Sequence, residues 1–337
     1  MDESAGGKGK LFMHPDPEGA RRFFRTKKGA LKDKVMSVKE AVSSFIHNGD
    51  YVASGGFGTN RISVAVLHEI LRQKKRDLGF AGFSATHSFQ LLAAGNRNGE
   101  RLLSRVDASY IVGLEARGLS RHARRVMEKG DVDVCEWSNY ALAGRLKAAA
   151  MGVPFIPARS MMGTDTLARS AAQLIVCPYT GLKLVALPAL SPDVSFIHVH
   201  ESDCYGNCRI RGITTGDVEM ARATKRLIVT TERLVSNREI RSAPNATVIP
   251  SFCVDAVCEV PYGSYPGNMA GEYFSDEEHL MAWLAAEEDE RTFEAFLQKH
   301  IYGVEDFEGY LQACGGMRRM RELRAQELFS REEATHG

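Results

Sequence analysis

The chain has 337 residues, 44% of them hydrophobic and 25% charged, and 43 Lys and Arg against 42 Asp and Glu leave a net charge of +1. That is the composition of a soluble globular protein with one large or two moderate domains, and the near-zero charge excludes a global field drawing it to nucleic acid or to an anionic membrane. No apolar run approaches the roughly eighteen residues of a membrane span and MDESAGGKGKLFMHPDPEGA lacks the core of a signal peptide, so a cytoplasmic protein with small molecules or other chains as partners is expected.

Residues 1–35 differ from the rest. They carry Gly6-Gly7, Pro15, Pro17 and a basic run of Arg21, Arg22, Arg25, Lys27, Lys28, Lys32 and Lys34, which reads as a solvated arm with one short amphipathic helix, or as an arm that wraps a partner chain. Ser37 and Glu40 then have capping-box spacing, and Val38, Ala41, Val42, Phe45 and Ile46 form one apolar helical stripe that stops at Asn48-Gly49. Tyr51–Ser54 reads as a strand, Gly55–Asn60 as a loop and Val64–Lys74 as a helix. The alternation continues with strands near 78–84, 106–112 and 132–136 and helices near 88–94, 119–129 and 139–151. Short strands alternating with helices imply a mostly parallel, open α/β sheet covered on both faces. After Pro154, strands fall at Lys183–Leu187, Val194–Val199, Leu227–Thr231 and Val254–Val260, and the last sixty or so residues read as helices near 276–286, 290–300, 305–313 and 317–328.

Strand, glycine loop and helix together place backbone N–H groups and a helix N-terminus against an anion. A dinucleotide fingerprint fits poorly, because Arg61 sits where its third glycine belongs, and no Gly-Lys-Ser/Thr follows to make a phosphate-binding P-loop. Gly82-Phe83-Ser84-Ala85-Thr86 resembles a nucleophile elbow without its final glycine, with His87 as a sequence neighbour only. The stretch FIHVHESDCYGNCRIRG, residues 196–212, offers His198, His200, Cys204 and Cys208 as soft metal ligands. It reads equally as a strand, a turn and a strand, and no metal is assigned. Seven cysteines, an odd number, suit free thiols in a reducing compartment.

Several dispersed motifs occur in one order: Lys34-Val35-Met36-Ser37, Asn48-Gly49-Asp50, Gly55-Gly56-Phe57, Ala148–Phe155, Gly206–Ile210, Val254–Val257 and Pro261–Pro266. On these residues the chain, from about 34 to 315, resembles the alpha (A) subunit of family I coenzyme A transferases, in its glutaconate branch. The resemblance implies the coenzyme A transferase/NagB-like three-layer fold with a helical C-terminal region. It also divides the chain into an N-terminal arm (1–35), an alpha-type domain (36–315) and a C-terminal helix and tail (316–337). The implied activity is ping-pong transfer of CoA between an acyl-CoA and a free, possibly dicarboxylic, acid through an acyl–glutamyl anhydride and a glutamyl–CoA thioester. CoA is then a substrate, and no permanently bound cofactor is expected.

In that family the nucleophilic glutamate belongs to the beta subunit, in a Glu-Asn-Gly type motif that this chain lacks; Asn98-Gly99-Glu100 has the wrong order. The resemblance therefore implies half an enzyme, active with a beta partner in a hetero-oligomer of two alpha and two beta chains or larger. Candidate substrate-binding residues are Gly56, Phe57, Gly58, Thr59, Asn60 and Arg61, then Ser84 and Thr86, and finally Ser138 and Asn139. Arg61 suits a carboxylate substrate or an interface ion pair, and Asn139 a substrate contact or a plain helix N-cap. Ser63 stands where the broad family pattern has proline, which leaves the substrate open. Two alternatives stand beside transfer. One is a hydrolase cleaving a ring C–C bond of a CoA thioester, with Glu136 as a base, although the corresponding acid aligns with neutral Asn139. The other is a non-catalytic sensing domain of the same fold, for which the arm is too short to supply a helix-turn-helix.

Overall fold

Eight strands form one sheet in the order Ala256–Glu259, Arg226–Leu234, Val194–Ser202, Tyr51–Ser54, Leu78–Gly82, Leu103–Ala108 and Asp133–Glu136, with the short strand Cys208–Arg209 pairing off Val194–Ser202. Every pair on the main path is parallel, and only Cys208–Arg209 runs antiparallel. This is a computed structural model, and it describes residues 6–27, 30–111, 113–114 and 117–335, without the side chains of Leu114 and of the residues beyond Leu328. Lys28 of the basic run, Val112 of the strand expected at 106–112 and the last two residues of the expected tail lie outside the described residues.

Burial on both faces explains the strand sequences. Val52, Phe80, Phe196 and Ile228 point into one apolar core, shared with helices Val38–Phe45, Val64–Arg72 and Thr86–Ala94. Their neighbours Tyr51, Ala53, Ala81, Ile197 and Val229 point into the other, shared with helices Asn139–Met151 and Asp217–Ala223. A second, antiparallel sheet of Phe155–Ala158, Lys183–Pro188 and Gln173–Val176 closes the latter side. The C-terminal helices lie on the first side, where Trp283, Phe293, Tyr310, Met320 and Leu323 complete the core.

Local signals hold at the helix starts. Ser37 accepts the Glu40 N–H and the Glu40 carboxylate accepts the Ser37 N–H, a complete capping box. The expected strand at 106–112 lies instead at Leu103–Ala108, its start concealed by polar Ser104 and Arg105, and it carries the buried Asp107. Asp107 is tolerated there by Arg145 at 2.8 Å and by the Trp137 indole N–H at 2.6 Å. The arm lies along its own chain: Gly7, Lys8 and Gly9 N–H groups donate to the carbonyls of Ala172, Ala168 and Ser170, and Lys27 pairs with Asp255 at 2.8 Å. Its helix, Pro17–Thr26, buries no residue fully, and Arg226 lies over the Phe23 ring. No helix among the described residues is long and apolar enough to cross a membrane.

Candidate active site

The chain runs outward from Tyr51–Ser54 in one direction across the sheet, then returns and runs outward in the other from Val194–Ser202. These two central strands flank the topological switch point, and the crevice beyond their C-terminal ends is where an open parallel sheet receives a ligand. The glycine loop leaves the first strand there, tied to its neighbour by the Gly55 N–H on the Phe196 carbonyl at 3.0 Å.

Gly56 and Gly58 have φ of +80° and +64°, which glycine adopts without strain. A Cβ on Gly56 would run into the carbonyls of Asn60 and Arg61, whereas a Cβ on Gly58 would meet nothing within 4 Å. Phe57 and Asn60 close a tight turn through reciprocal backbone bonds of 3.0 and 2.9 Å, which leaves the Phe57 ring 42% exposed. Thr59 is buried, and its carbonyl accepts the Asn268 N–H at 3.1 Å. The Asn268 carbonyl in turn accepts the Arg61 N–H at 2.9 Å, and Ser264 Oγ accepts the Ile62 N–H at 3.0 Å. The Pro261–Pro266 motif and the glycine loop are therefore parts of one structure, a joining that their separation in sequence conceals.

Arg61 is 1% exposed, and its guanidinium is engaged within the chain. It donates to Asp217 at 2.7 Å and to the Ile213 carbonyl at 2.6 Å, while the other Asp217 oxygen accepts the Gly56 N–H at 2.9 Å. Burial pushes the Asp217 carboxyl above its ordinary range, opposed by the Arg61 charge and the Gly56 N–H. Sequence reasoning missed Asp217. Its only local signal was a carboxylate opening a helix after Gly216.

Ser84 and Asn139 meet at the C-terminal ends of their strands. The Ser84 N–H donates to Asn139 Oδ1 at 3.2 Å, Asn139 Nδ2 donates to Ser84 Oγ at 3.1 Å, and the Gly58 N–H donates to the Ser84 carbonyl at 3.0 Å. Ser84 has φ of +40°, so this contact fixes a conformation that serine seldom takes. The N-cap reading of Asn139 is corrected. Ser138 is the cap, accepting the Ala141 N–H at 3.1 Å, which frees the amide one residue on to reach Ser84. Trp137, the residue before them, is anchored on Asp107. Thr86 is buried, and its Oγ1 has no hydrogen-bond partner.

Two residues weighed as alternatives, His87 and Glu136, have partners of their own. His87 does not activate Ser84: its Nδ1 pairs with Gln90 at 3.0 Å, its ring packs edge-on to Trp283, and burial lowers its pKa to about 4. Glu136 is ion-paired with Arg169 at 3.0 Å on the surface. In the histidine- and cysteine-bearing stretch, His198 is held by Glu232 and Thr230, and His200 by the Ala270 carbonyl and the Arg211 N–H. Asp203 accepts bonds from Tyr205, Asn207 and Asn237 to build the turn. The ligand atoms that do converge among the described residues are elsewhere, on His279, His300 and Cys314.

A mostly parallel sheet covered by helices, with a glycine loop and neutral amide and hydroxyl groups beside its switch point, defines the class as an open α/β fold. The Coenzyme A transferase family model matches residues 35–260, and the chain belongs to that family, as an alpha-type (A) subunit of family I. It is similar to the alpha-type (A) subunit of glutaconate CoA-transferase from Acidaminococcus fermentans, 32% identical over 85% of this chain and 93% of that one. The crystal structure of that transferase superposes with a TM-score of 0.79 at 31% identity, over 85% of this chain and 94% of the other. An uncharacterized protein of Archaeoglobus fulgidus is 47% identical over 97% of this chain and 72% of its own length. A variant of the decarboxylase AibA/AibB superposes with a TM-score of 0.70 at 32% identity, over 79% of this chain and 98% of that one.

Proposed function

We propose that this chain is the alpha half of a heteromeric, cytoplasmic CoA-transferase that moves CoA between an acyl-CoA and a free carboxylic acid, the covalent steps taking place on a glutamate of a partner beta chain. The carrying observation is the Ser84–Asn139 pair beside the glycine loop. The bonds within the pair leave the Ser84 hydroxyl proton and the second Asn139 amide proton free to donate to a carboxylate or to a developing anhydride oxygen. Asp217 is engaged by Arg61 and Glu136 by Arg169, which supports an attacking carboxylate supplied by the partner.

In this reading the partner glutamate attacks the thioester carbonyl and expels CoA thiolate, leaving an acyl–glutamyl anhydride. The thiolate then attacks the glutamyl carbonyl, releasing the first acid and leaving CoA on the glutamate; the second acid reverses both steps. Both intermediates are lost to hydrolysis if water enters. Phe57, Tyr140 and Ile213, 42%, 70% and 79% exposed, border the site residues and give the partner an apolar rim to cover.

The test is to assay CoA transfer from acetyl-CoA to dicarboxylic acids with this chain alone and after co-expression with a beta-type chain. Activity only in the pair supports the reading. In a parallel assay with an acyl-CoA that carries its own free carboxylate, consumption with release of CO2 and no dependence on an acceptor acid would place the chain with the decarboxylase instead.

A further inference from the structure

The C-terminal helical layer holds a cluster that CoA transfer does not use. His279 lies on helix Glu277–Ala286, His300 in the π-turn Gln298–Tyr302, and Cys314 at the end of helix Phe307–Ala313. One ligand-type atom from each lies within 4.8 Å of the other two. We propose that His279, His300 and Cys314 bind one zinc-class divalent ion, with a fourth coordination position left for water.

The distances suit a tetrahedral ion. Zinc bonds of about 2.0–2.1 Å to nitrogen and about 2.3 Å to sulfur place neighbouring ligand atoms about 3.4–3.6 Å apart. Cys314 Sγ and His279 Nδ1 are already 3.8 Å apart. Bringing a 4.8 Å separation to that spacing takes roughly 1 Å of movement, within the reach of side-chain rotation.

The rings are also oriented for an ion. A metal-binding imidazole ordinarily has its other nitrogen tied to an oxygen, which fixes the tautomer and aims the lone pair. Both rings have this arrangement. His300 Nδ1 is 3.0 Å from the Phe296 carbonyl, which only accepts, so the proton sits on Nδ1 and the lone pair on Nε2. His279 Nε2 is 3.0 Å from Tyr310 Oη, which leaves Nδ1 as the nitrogen facing Cys314. The two imidazoles stand edge to face at 87° with centroids 5.1 Å apart, and Phe296 packs 4.2 Å from His300, so the rings are held before any ion arrives.

The cluster is also reachable. One cleft lined by Thr292, Lys299, His300 and Cys314, and another lined by Asp276, His279 and Cys314, open onto it from two sides. On binding, the Cys314 thiol proton leaves to solvent as the sulfur–metal bond forms, and both imidazoles bind neutral. The ion would fasten three separate helical segments over the first core.

The test uses the metal-stripped full-length protein titrated with Co2+ and then with Zn2+. Expected are one Co2+ per chain, intense visible bands of tetrahedral cobalt, a near-ultraviolet thiolate-to-cobalt band, displacement of all of these by Zn2+, and a rise in Tm. Cys314→Ser abolishes the thiolate band while circular dichroism stays native, and Tyr310→Phe, which removes only the outer oxygen, weakens binding about 10–100-fold. Cys204→Ser leaves the spectrum unchanged. Failure of the native chain to take up stoichiometric cobalt overturns the proposal, as does a thiolate band that survives Cys314→Ser.

Discussion

Arg61 was legible as an arginine in a ligand loop, but its partner was not, because Asp217 lies 156 residues further on. The fold spends its guanidinium on that carboxylate and on the Ile213 carbonyl, which makes it a positioning residue for the loop. Removing it leaves a buried carboxylate unpaired. Arg61→Ala is therefore expected to cost about 3–5 kcal/mol in urea unfolding and, in the assembled enzyme, to affect KM for acid and CoA donor alike. A native Tm with a KM increase confined to the acid would instead put the guanidinium on the substrate. Asn139 teaches the converse lesson. Ser138 and Asn139 are both good N-caps, and only the position of Ser84 across the site decides which one caps and which reaches over.

At the scale of elements, signals that complete themselves within a few residues were readable. Ser37 to Glu40 is the clearest case, because both partners of the capping box lie within one turn. Ser37→Ala should lower stability by about 1 kcal/mol in thermal or urea unfolding. The Ser37 backbone N–H, and next its hydroxyl, hold the Glu40 carboxyl below its ordinary value. A carboxyl lowered in the folded state contributes stability above its unfolded pKa and loses it as pH falls through the folded one. The box's contribution through Glu40 should accordingly fade as pH falls below about 4, so a Glu40→Gln deficit measured at neutral pH should shrink by about pH 3, and one unchanged down to about pH 3 would contradict the box. Elements whose residues answer to distant partners were harder to place. Asp107 breaks the apolar pattern of its strand, and it belongs there because Arg145, the Trp137 indole and the Tyr51 hydroxyl, all from other elements, come to meet it.

For the whole molecule, the alternation of short strands and helices was enough to expect a parallel α/β sheet, since strands buried on both faces must be apolar throughout. The strand order, the switch point and the joining of the Pro261–Pro266 motif to the glycine loop were hidden, being decided by which crossovers pack. The same packing buries histidines as neutral groups. Burial holds His87 and His200 at about 4, against about 6.5 for a histidine in water. Between those values the unfolded chain binds more protons, so stability should rise with pH from about 4 to about 6.5. His87→Gln should flatten that rise in urea midpoints measured across the window, and an unaltered slope would mean that His87 is not held neutral.

In the enzyme proposed, this chain shapes the site while a partner carries the covalent chemistry. The most direct test is to stop the assembled enzyme in the presence of acyl-CoA and locate covalently bound CoA by peptide mass spectrometry. The adduct is expected on a glutamate of the beta chain, with none on this one. CoA bound to Glu136 or to any other residue of this chain would contradict that division of labour.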